Sequence, residues 1–341
     1  MSDVIGVDLG GTKIAIARLS GSELSESTIE PTQKTGRDAL IDQVVRMIEA
    51  SRGDRLDGVG LGVPSVVEFD TGRVVSSVNI PLADVPLRSV LGERVGVPVF
   101  VDNDATVAAL AEAHDMELKM IARDLVMITV GTGVGGGLVL GGRIYRGATG
   151  GAGELGHTLI GIDLSEGVPP PATFPQPGSL EREAAGHALD RLSVEHADRN
   201  PDSALGRLRA HGGTVTGVDA VAAAHGGDLD AIELVAAWGE RLGVGIANVI
   251  NTFDPEEVVI GGGAARAGEL MLEPARRTAA GYVLPGLGHK TTIRVARHGV
   301  GAGVLGAALL AVHELRDAVD RAAPSEPSGT RSGRAPSEVA L

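Results

Sequence analysis

Asp102-Asn103-Asp104 sets two carboxylates and an amide between an apolar run ending at Val101 and an alanine-rich stretch. One of the three is expected to cap the helix that follows, since Asx side chains accept the free N–H groups of a first helical turn. A cap uses one side chain, which leaves two polar groups at the carboxyl end of a strand, where open α/β sheets hold their ligands. The helix N-terminus there favours an ionised carboxylate, which could take a proton from a hydroxyl as it attacks a terminal phosphate.

Glu154-Leu155-Gly156-His157 has the E-x-x-H spacing of a helical metal site. Gly150, Gly151, Gly153 and Gly156 argue for a loop instead. On a loop, a carboxylate and an imidazole suit a polyol, one accepting hydroxyl hydrogen bonds and the other donating or accepting. Asp8, at the end of the first apolar run, suits a water-mediated magnesium contact; its ordinary reading is a turn-stabilising Asx. Lys13 lies one residue past a turn and can face either a phosphate or solvent.

Two glycine-rich turns flank this chemistry, Gly10-Gly11-Thr12-Lys13 and the stretch Gly131 to Gly137. Glycine lets backbone N–H groups approach phosphate oxygens, and two such turns face to face would hold a nucleoside triphosphate from both sides. Neither has P-loop spacing, and neither gives G-x-G-x-x-G in a strand-to-helix setting.

The elements that must position these residues follow from the apolar pattern. Ile5 to Val7 and Lys13 to Leu19 read as a strand, tight turn and strand; Leu125 to Val130 and Leu138 to Leu140 repeat that layout around the second turn. Val59 to Val63 and Val99 to Val101 are short buried strands. Residues 37–50, Thr106 to His114, Leu229 to Asn251 and Gly299 to Leu315 read as helices, the third stopped by Asp254-Pro255. Val258 to Ile260 runs into a third glycine turn, Gly261-Gly262-Gly263. Pro169 to Pro171, Pro175 and Pro177 mark an irregular segment, and from Ala318 onward the composition is that of a disordered tail.

Composition bounds the rest. The 341 residues suffice for two domains, and with 2% aromatics against 50 glycines the cores must be aliphatic and closely packed. A net charge of −14 argues against a nucleic-acid or anionic-membrane surface. The absence of cysteine excludes disulfides, thiol catalysis and cysteine-held metals, and fits the cytoplasm. No signal peptide precedes the first strand, and Val300 to Val312 is too short to span a bilayer, so a soluble intracellular protein is expected. His114, His187, His196, His211, His225, His289, His298 and His313 show no ligand or triad spacing and read as surface or structural.

Taken in order, five blocks resemble the ROK family of sugar kinases and repressors, in its bacterial glucokinase branch. They are Asp8 to Lys13; Gly62 to Ser65 with Asn79; Asp102 to Ala105; Gly131 to Gly135 leading to Glu154 to His157; and Ile260 to Gly263. The resemblance runs from about Val4 to Leu315 and implies an α/β fold of two actin-like (ribonuclease-H-like) lobes around a cleft. It divides the chain into a small lobe of residues 1–113 plus 300–317, a large lobe of 114–299 and a tail of 318–341. It implies an ATP-dependent, magnesium-requiring hexose kinase acting on the C6 hydroxyl of glucose, often a homodimer.

The resemblance makes Asp104 the general base and gives the other sugar hydroxyls to Asn79, Asn103, Glu154, His157 and Glu181. It assigns the ATP phosphates to the backbone of Gly10, Gly11, Thr12 and Lys13 and of Thr132 and Gly133, and the border of the adenosine to Gly262 and Gly263. Two departures stand out. Many family members order the loop after the histidine with a zinc held by three cysteines; none occurs here, which argues against zinc. Ser65 replaces a usual glycine. Kinases for other hexoses or N-acetylmannosamine and a polyphosphate-dependent enzyme are the near alternatives. A sugar-responsive regulator is the distant one, because such proteins carry a DNA-binding domain ahead of the first turn and Asp8 leaves no room for it.

Overall fold

The computed structural model describes residues 2–77, 79–165, 167–168, 170 and 174–322. Its first sheet grows from the hairpin of β1 (Asp3–Leu9) and β2 (Lys13–Ser20), paired from Asp3 with Ser20 to Leu9 with Ile14. β3 (Glu23–Leu24) and β4 (Thr28–Pro31) line the outer edge of β2. After α1 (Arg37–Ser51), β5 (Gly58–Val63) pairs in parallel with β1. A separate hairpin, β6 (Ser65–Glu68) and β7 (Arg73–Ser77), precedes α2 (Leu87–Val95) and β8 (Val99–Asn103), which pairs in parallel with β5. α3 (Asp104–Glu112) leaves directly from the end of β8.

A second sheet repeats the plan with β9 (Leu125–Val130), β10 (Val134–Leu140) and β11 (Arg143–Ile144) as an antiparallel meander. A helical group comes next: α4 (Leu180–Ala184), α5 (Gly186–Arg199), α6 (Ala204–Ala210), α7 (Gly217–His225) and α8 (Leu229–Phe253). β12 (Glu257–Gly261) then pairs in parallel with β9, and beyond α9 (Glu269–Tyr282) β13 (Thr292–Val295) pairs in parallel with β12. The strand orders are β3-β2-β1-β5-β8 and β11-β10-β9-β12-β13, one topology used twice. The weak repeat in the sequence is thus a repeat of fold.

α10 (Ala302–Ala322) returns the chain to the first sheet. It lies on β1, β2 and β5, while α3 lies on β9 and β10, so these two helices fill the space between the sheets. One aliphatic cluster joins Val4 and Leu19, Val107 to Ala113, Leu125, Met127 and Val139, and Leu305 to Val312. The outer faces carry α1 and α2 on the first sheet and α4, α8 and α9 on the second. Small residues make the contacts close: a Cβ at Gly60 would coincide with the Ala307 carbonyl, and one at Gly306 with that of Val107. Trp238, the one tryptophan, is buried with its indole N–H donating to the Ala184 carbonyl at 2.9 Å.

Two boundaries differ from expectation. β10 begins at Val134, so only Gly131 to Gly133 form the second turn and Gly135 to Gly137 belong to a strand. The last helix runs past Ala318 to Ala322, into the stretch read as tail, while residues 323–341 lie outside the described ones. Taken with the 3₁₀ turn before it, the helical stretch Gly299–Arg321 is long and apolar enough, by length and composition, to cross a membrane, whereas Val300 to Val312 alone is too short. Its burial between the sheets accounts for its apolar composition.

Candidate active site

Parallel pairing puts Asp8 of β1, Gly62 of β5 and Asp102 of β8 in one row at the carboxyl ends of three strands. Gly62 leaves that row open in the middle: a Cβ there would stand 3.4 Å from the Asp104 Cα. Asp104 therefore starts α3 close to Asp8, and the two carboxylates feel one another. Burial and the Asp104 charge push the Asp8 carboxyl up to about 6, against a weaker opposing pull from Lys13. The Asp104 carboxyl is also raised, by burial first and with a contribution from Glu154; the N–H groups of Ala105 and Asp104 and the Asn103 amide oppose this. The expected ionising effect of the helix N-terminus is present but is outweighed by desolvation.

The trio at the end of β8 divides its work. Asn103 is the cap, its Oδ1 accepting from the N–H groups of Ala105 at 2.9 Å and Thr106 at 3.2 Å. Its Nδ2 donates one N–H to the Ser65 carbonyl at 3.4 Å, which leaves the second for a ligand. Ser65 itself is tied to Ser77 at 2.9 Å. Asp102 is buried and accepts from Arg146 Nε at 2.7 Å. Of these two carboxylates, Asp104 alone keeps an oxygen that accepts no hydrogen bond among the described residues.

The first glycine turn closes with the Gly10 N–H donating to the Lys13 carbonyl at 3.0 Å. Thr32 holds it from outside, its hydroxyl donating to the Gly10 carbonyl at 2.7 Å and its N–H to that of Thr12 at 3.0 Å. Gly11 abuts Asn79, so this turn and a residue expected on the sugar are neighbours. Thr12 and Lys13 are exposed.

The second turn is tied to the start of the helical group. The Gly186 N–H donates to the Gly131 carbonyl at 2.7 Å, and His187 Nδ1 meets the Thr132 carbonyl at 2.5 Å. Glu181 Oε2 accepts the Val134 N–H at 2.8 Å and lies against Gly133, which joins a residue expected on the sugar to a turn expected on phosphate. A cleft of about 400 Å³ opens beside the turn, with Leu189, Val218, Val221 and Trp238 as apolar wall and His187, Asp190, Arg266 and Gly263 at its polar edge. Gly262 sits against the Val130 carbonyl at the end of β9 and takes a positive φ of 77°. His187 is thus part of this site, not the bystander its spacing suggested; a histidine opening a helix carries no local signal of the turn it meets 55 residues earlier.

Glu154 precedes and His157 ends a single 3₁₀ turn, Leu155–His157, within the loop that the glycines led one to expect. Both side chains are exposed, with His157 Nε2 3.8 Å from Glu154 Oε2. Gly136 makes this possible: a side chain there would strike the Gly153 carbonyl and stand 2.7 Å from Leu155 Cδ1. On the opposite face Gly137 admits the first turn of α3, where a Cβ would approach Ala109 Cβ to 2.7 Å. The glycines of β10 thus serve contact between elements and bring Glu154 within electrostatic reach of Asp104.

A structural zinc does not fit here. No cysteine is available, and the His157 ring meets Phe174 edge to face, the centroids 5.2 Å apart and the planes at 72°. Among the described residues no group of three His, Asp or Glu side chains gathers to hold an ion. The loop is closed instead by the Leu180 N–H donating to the Thr158 carbonyl and the Ile160 N–H to that of Gly178, both at 2.8 Å. Pro169 and Pro171, on which its irregular course was read, lie outside the described residues.

A model of the ROK family matches residues 4–314. A glucokinase from Halalkalibacterium halodurans is 37% identical over 90% of this chain and 94% of its own length. A ROK family glucokinase from Streptomyces griseus, solved with glucose and AMPPNP, superposes with a TM-score of 0.74 at 30% identity, over 92% of this chain and 100% of that one. A xylose repressor from Caldicellulosiruptor bescii is 31% identical over 81% of this chain and 69% of its own length.

Proposed function

Since this chain belongs to the ROK family and has its actin-like two-lobe fold, we propose that the cleft between its sheets transfers a phosphoryl group to a sugar. The protein is a glucokinase, with ATP as donor and the C6 hydroxyl of glucose as acceptor. The observation that carries this reading is Asp104: a carboxylate with an open oxygen, close to Asp8 between two glycine turns, with Glu154 in reach.

In this mechanism Asp104 accepts the C6 hydroxyl proton as that oxygen attacks the γ-phosphorus. Its raised pKa suits the task, because a stronger base is the better acceptor. Glu154, His157 and Glu181 hold the remaining hydroxyls, with Asn79 and the Asn103 amide at the small-lobe side. The backbone of Gly10 to Lys13 and of Thr132 and Gly133 holds the phosphates, and Gly262 and Gly263 border the adenosine in the 400 Å³ cleft. Asp8 fits a hydrated magnesium ion, since its buried carboxylate accepts no hydrogen bond among the described residues. Such an ion neutralises phosphate charge when bound. The remaining work is positioning, as phosphoryl transfer asks of a protein.

The lobe boundary falls at 1–113 plus 300–317 against 114–299, and a cytoplasmic homodimer is the working form, which light scattering checks. Initial rates on glucose, mannose, fructose and N-acetylmannosamine with ATP or polyphosphate test the assignment. Glucose with ATP should give the highest kcat/KM, and a clear preference for another pair overturns it.

A further inference from the structure

Asp102 is 3% exposed and takes no part in the transfer of the phosphoryl group. Its Oδ1 accepts the N–H of Asn103 at 2.9 Å and its Oδ2 accepts Arg146 Nε at 2.7 Å. Burial pushes its carboxyl up, and the Arg146 guanidinium pulls against that. Arg146 comes from the other sheet, two residues beyond β11. It touches three elements of the first half of the fold at once: Asp102 at the end of β8, Glu314 of α10 at 3.2 Å, and Phe69 in the β6–β7 turn, whose ring centre lies 3.4 Å below its guanidinium.

Arg146 also starts the segment that ends in Glu154 and His157. Its carbonyl accepts the Ala152 N–H at 3.1 Å, closing a turn, and Gly150 within that turn lies against the Val67 carbonyl of β6. A single side chain therefore joins the base of the sugar loop to the peptide that precedes Asn103 and Asp104.

We propose that Arg146 is a positioning residue that aligns Asp104 through Asp102 and makes this alignment depend on the order of the sugar loop. The proposal rests on Asp104 being the base. A planar guanidinium with two bonded nitrogens and a stacked face fixes direction as well as charge, which an ammonium cannot do. Without it, Asp102 is left as a buried carboxylate lacking its cation, and the Asn103 peptide it anchors is free to shift. A displacement of about 1 Å at a reacting group costs on the order of 10²-fold in rate.

The test compares kcat, KM for ATP and for glucose, and melting temperature in Arg146→Met, Arg146→Lys, Asp102→Asn and the double variant Arg146→Met with Asp102→Asn. Arg146→Met should lower kcat by about 10²-fold with KM for ATP nearly unchanged, and Arg146→Lys should recover only part of the loss. The double variant should be no slower than Arg146→Met alone, because both changes break one chain of contacts. Rate losses that multiply in the double variant, or an unchanged kcat in Arg146→Met, overturn the proposal. If Arg146→Met fails to fold, Arg146→Lys and Asp102→Asn decide: a kcat near wild type in both overturns it, and a fall in both supports it. Asp104→Asn measured beside them separates the two readings. Turnover retained there refutes the base itself, whereas turnover lost there with a normal Arg146→Met refutes only the role of Arg146.

Discussion

The two sheets of this protein share one five-strand order, to which the first adds β4 on β2, and they carry different residues at matching positions. On β2 the strand after the turn reads Ile14-Ala15-Ile16-Ala17, with Ile14 and Ile16 buried in the outer core and Ala15 and Ala17 turned to α10. The matching stretch of β10 reads Val134-Gly135-Gly136-Gly137. Where the first sheet buries Ile16, the second has Gly136 and receives the backbone of Gly153 and the side chain of Leu155; where the first has Ala17, the second has Gly137 and receives α3. The strands differ again at their far ends. β8 ends in Asp102-Asn103-Asp104, while β13 runs into Ala296-Arg297-His298 without a carboxylate. A repeated scaffold thus supplies two glycine turns, and side chains removed from one copy and carboxylates added to the other set the halves apart.

That contrast can be broken at named positions. Asp104→Asn removes the carboxylate at the start of α3 and should cut kcat by about 10³-fold, while calorimetry still detects glucose binding. Substantial retained turnover would refute the role of the β8 end. Gly136→Ile restores the residue of the first copy to the second and should displace Gly153 to Leu155. Glucose KM should rise at least about tenfold while nucleotide binding, followed by calorimetry, persists, and the fold should lose about 1–3 kcal/mol in urea titrations. A normal glucose KM would show that the loop does not need this opening.

Asp8→Asn sharpens the comparison from the first turn. Burial raises the Asp8 carboxyl from about 3.9, the value of an ordinary aspartate, to about 6. The folded protein therefore holds this proton more tightly than the unfolded chain, and the Asp8 contribution to stability declines as pH rises from about 4 to 6 and stays low above that. The substitution should stabilise the free enzyme at pH 7 by about 1–3 kcal/mol and at pH 4 by much less, while kcat/KM for ATP falls. In the unaltered enzyme kcat/KM for ATP should decline as pH drops through about 6. Equal stability effects at both pH values would contradict the assigned burial. The smallest change expected is from Phe174→Ala, which removes an edge-to-face contact of about 0.5–1.5 kcal/mol. It should raise glucose KM about threefold to tenfold, and a zinc-selective chelator, with magnesium kept in excess, should leave the glucose KM of both forms unchanged. A chelator effect would bring metal back into that loop.

Much of the fold is legible locally. The glycine turns, the stop at Asp254, the start of α1 and the cap at the end of β8 depend on residues within a turn or two of one another. Such short-range preferences survive in any context. The apolar runs of β1, β5, β8 and β9 mark strands buried on both faces. What misled was composition read without partners. Gly135 to Gly137 looked like part of a phosphate turn, because glycine serves backbone approach whether the visitor is a ligand or a helix. The apolar stretch from Val300 was judged by length, although burial between the sheets accounts for it.

The sequence by itself determined which residues could do chemistry: the carboxylates at the end of β8, the E-x-x-H pair, Asp8 and the glycine turns. Tertiary structure alone decided how they divide the work. Asn103 became the cap and Asp102 the partner of Arg146, because Arg146 arrives from 44 residues away, and this left Asp104 as the carboxylate proposed for the base. The same holds for His187, which meets its turn across 55 residues, and for Phe174 beside His157. Side-chain type is written residue by residue, whereas a burial environment and a partner are properties of the folded whole. Roles that turn on desolvation and pairing therefore exist only once the two sheets have closed around α3 and α10.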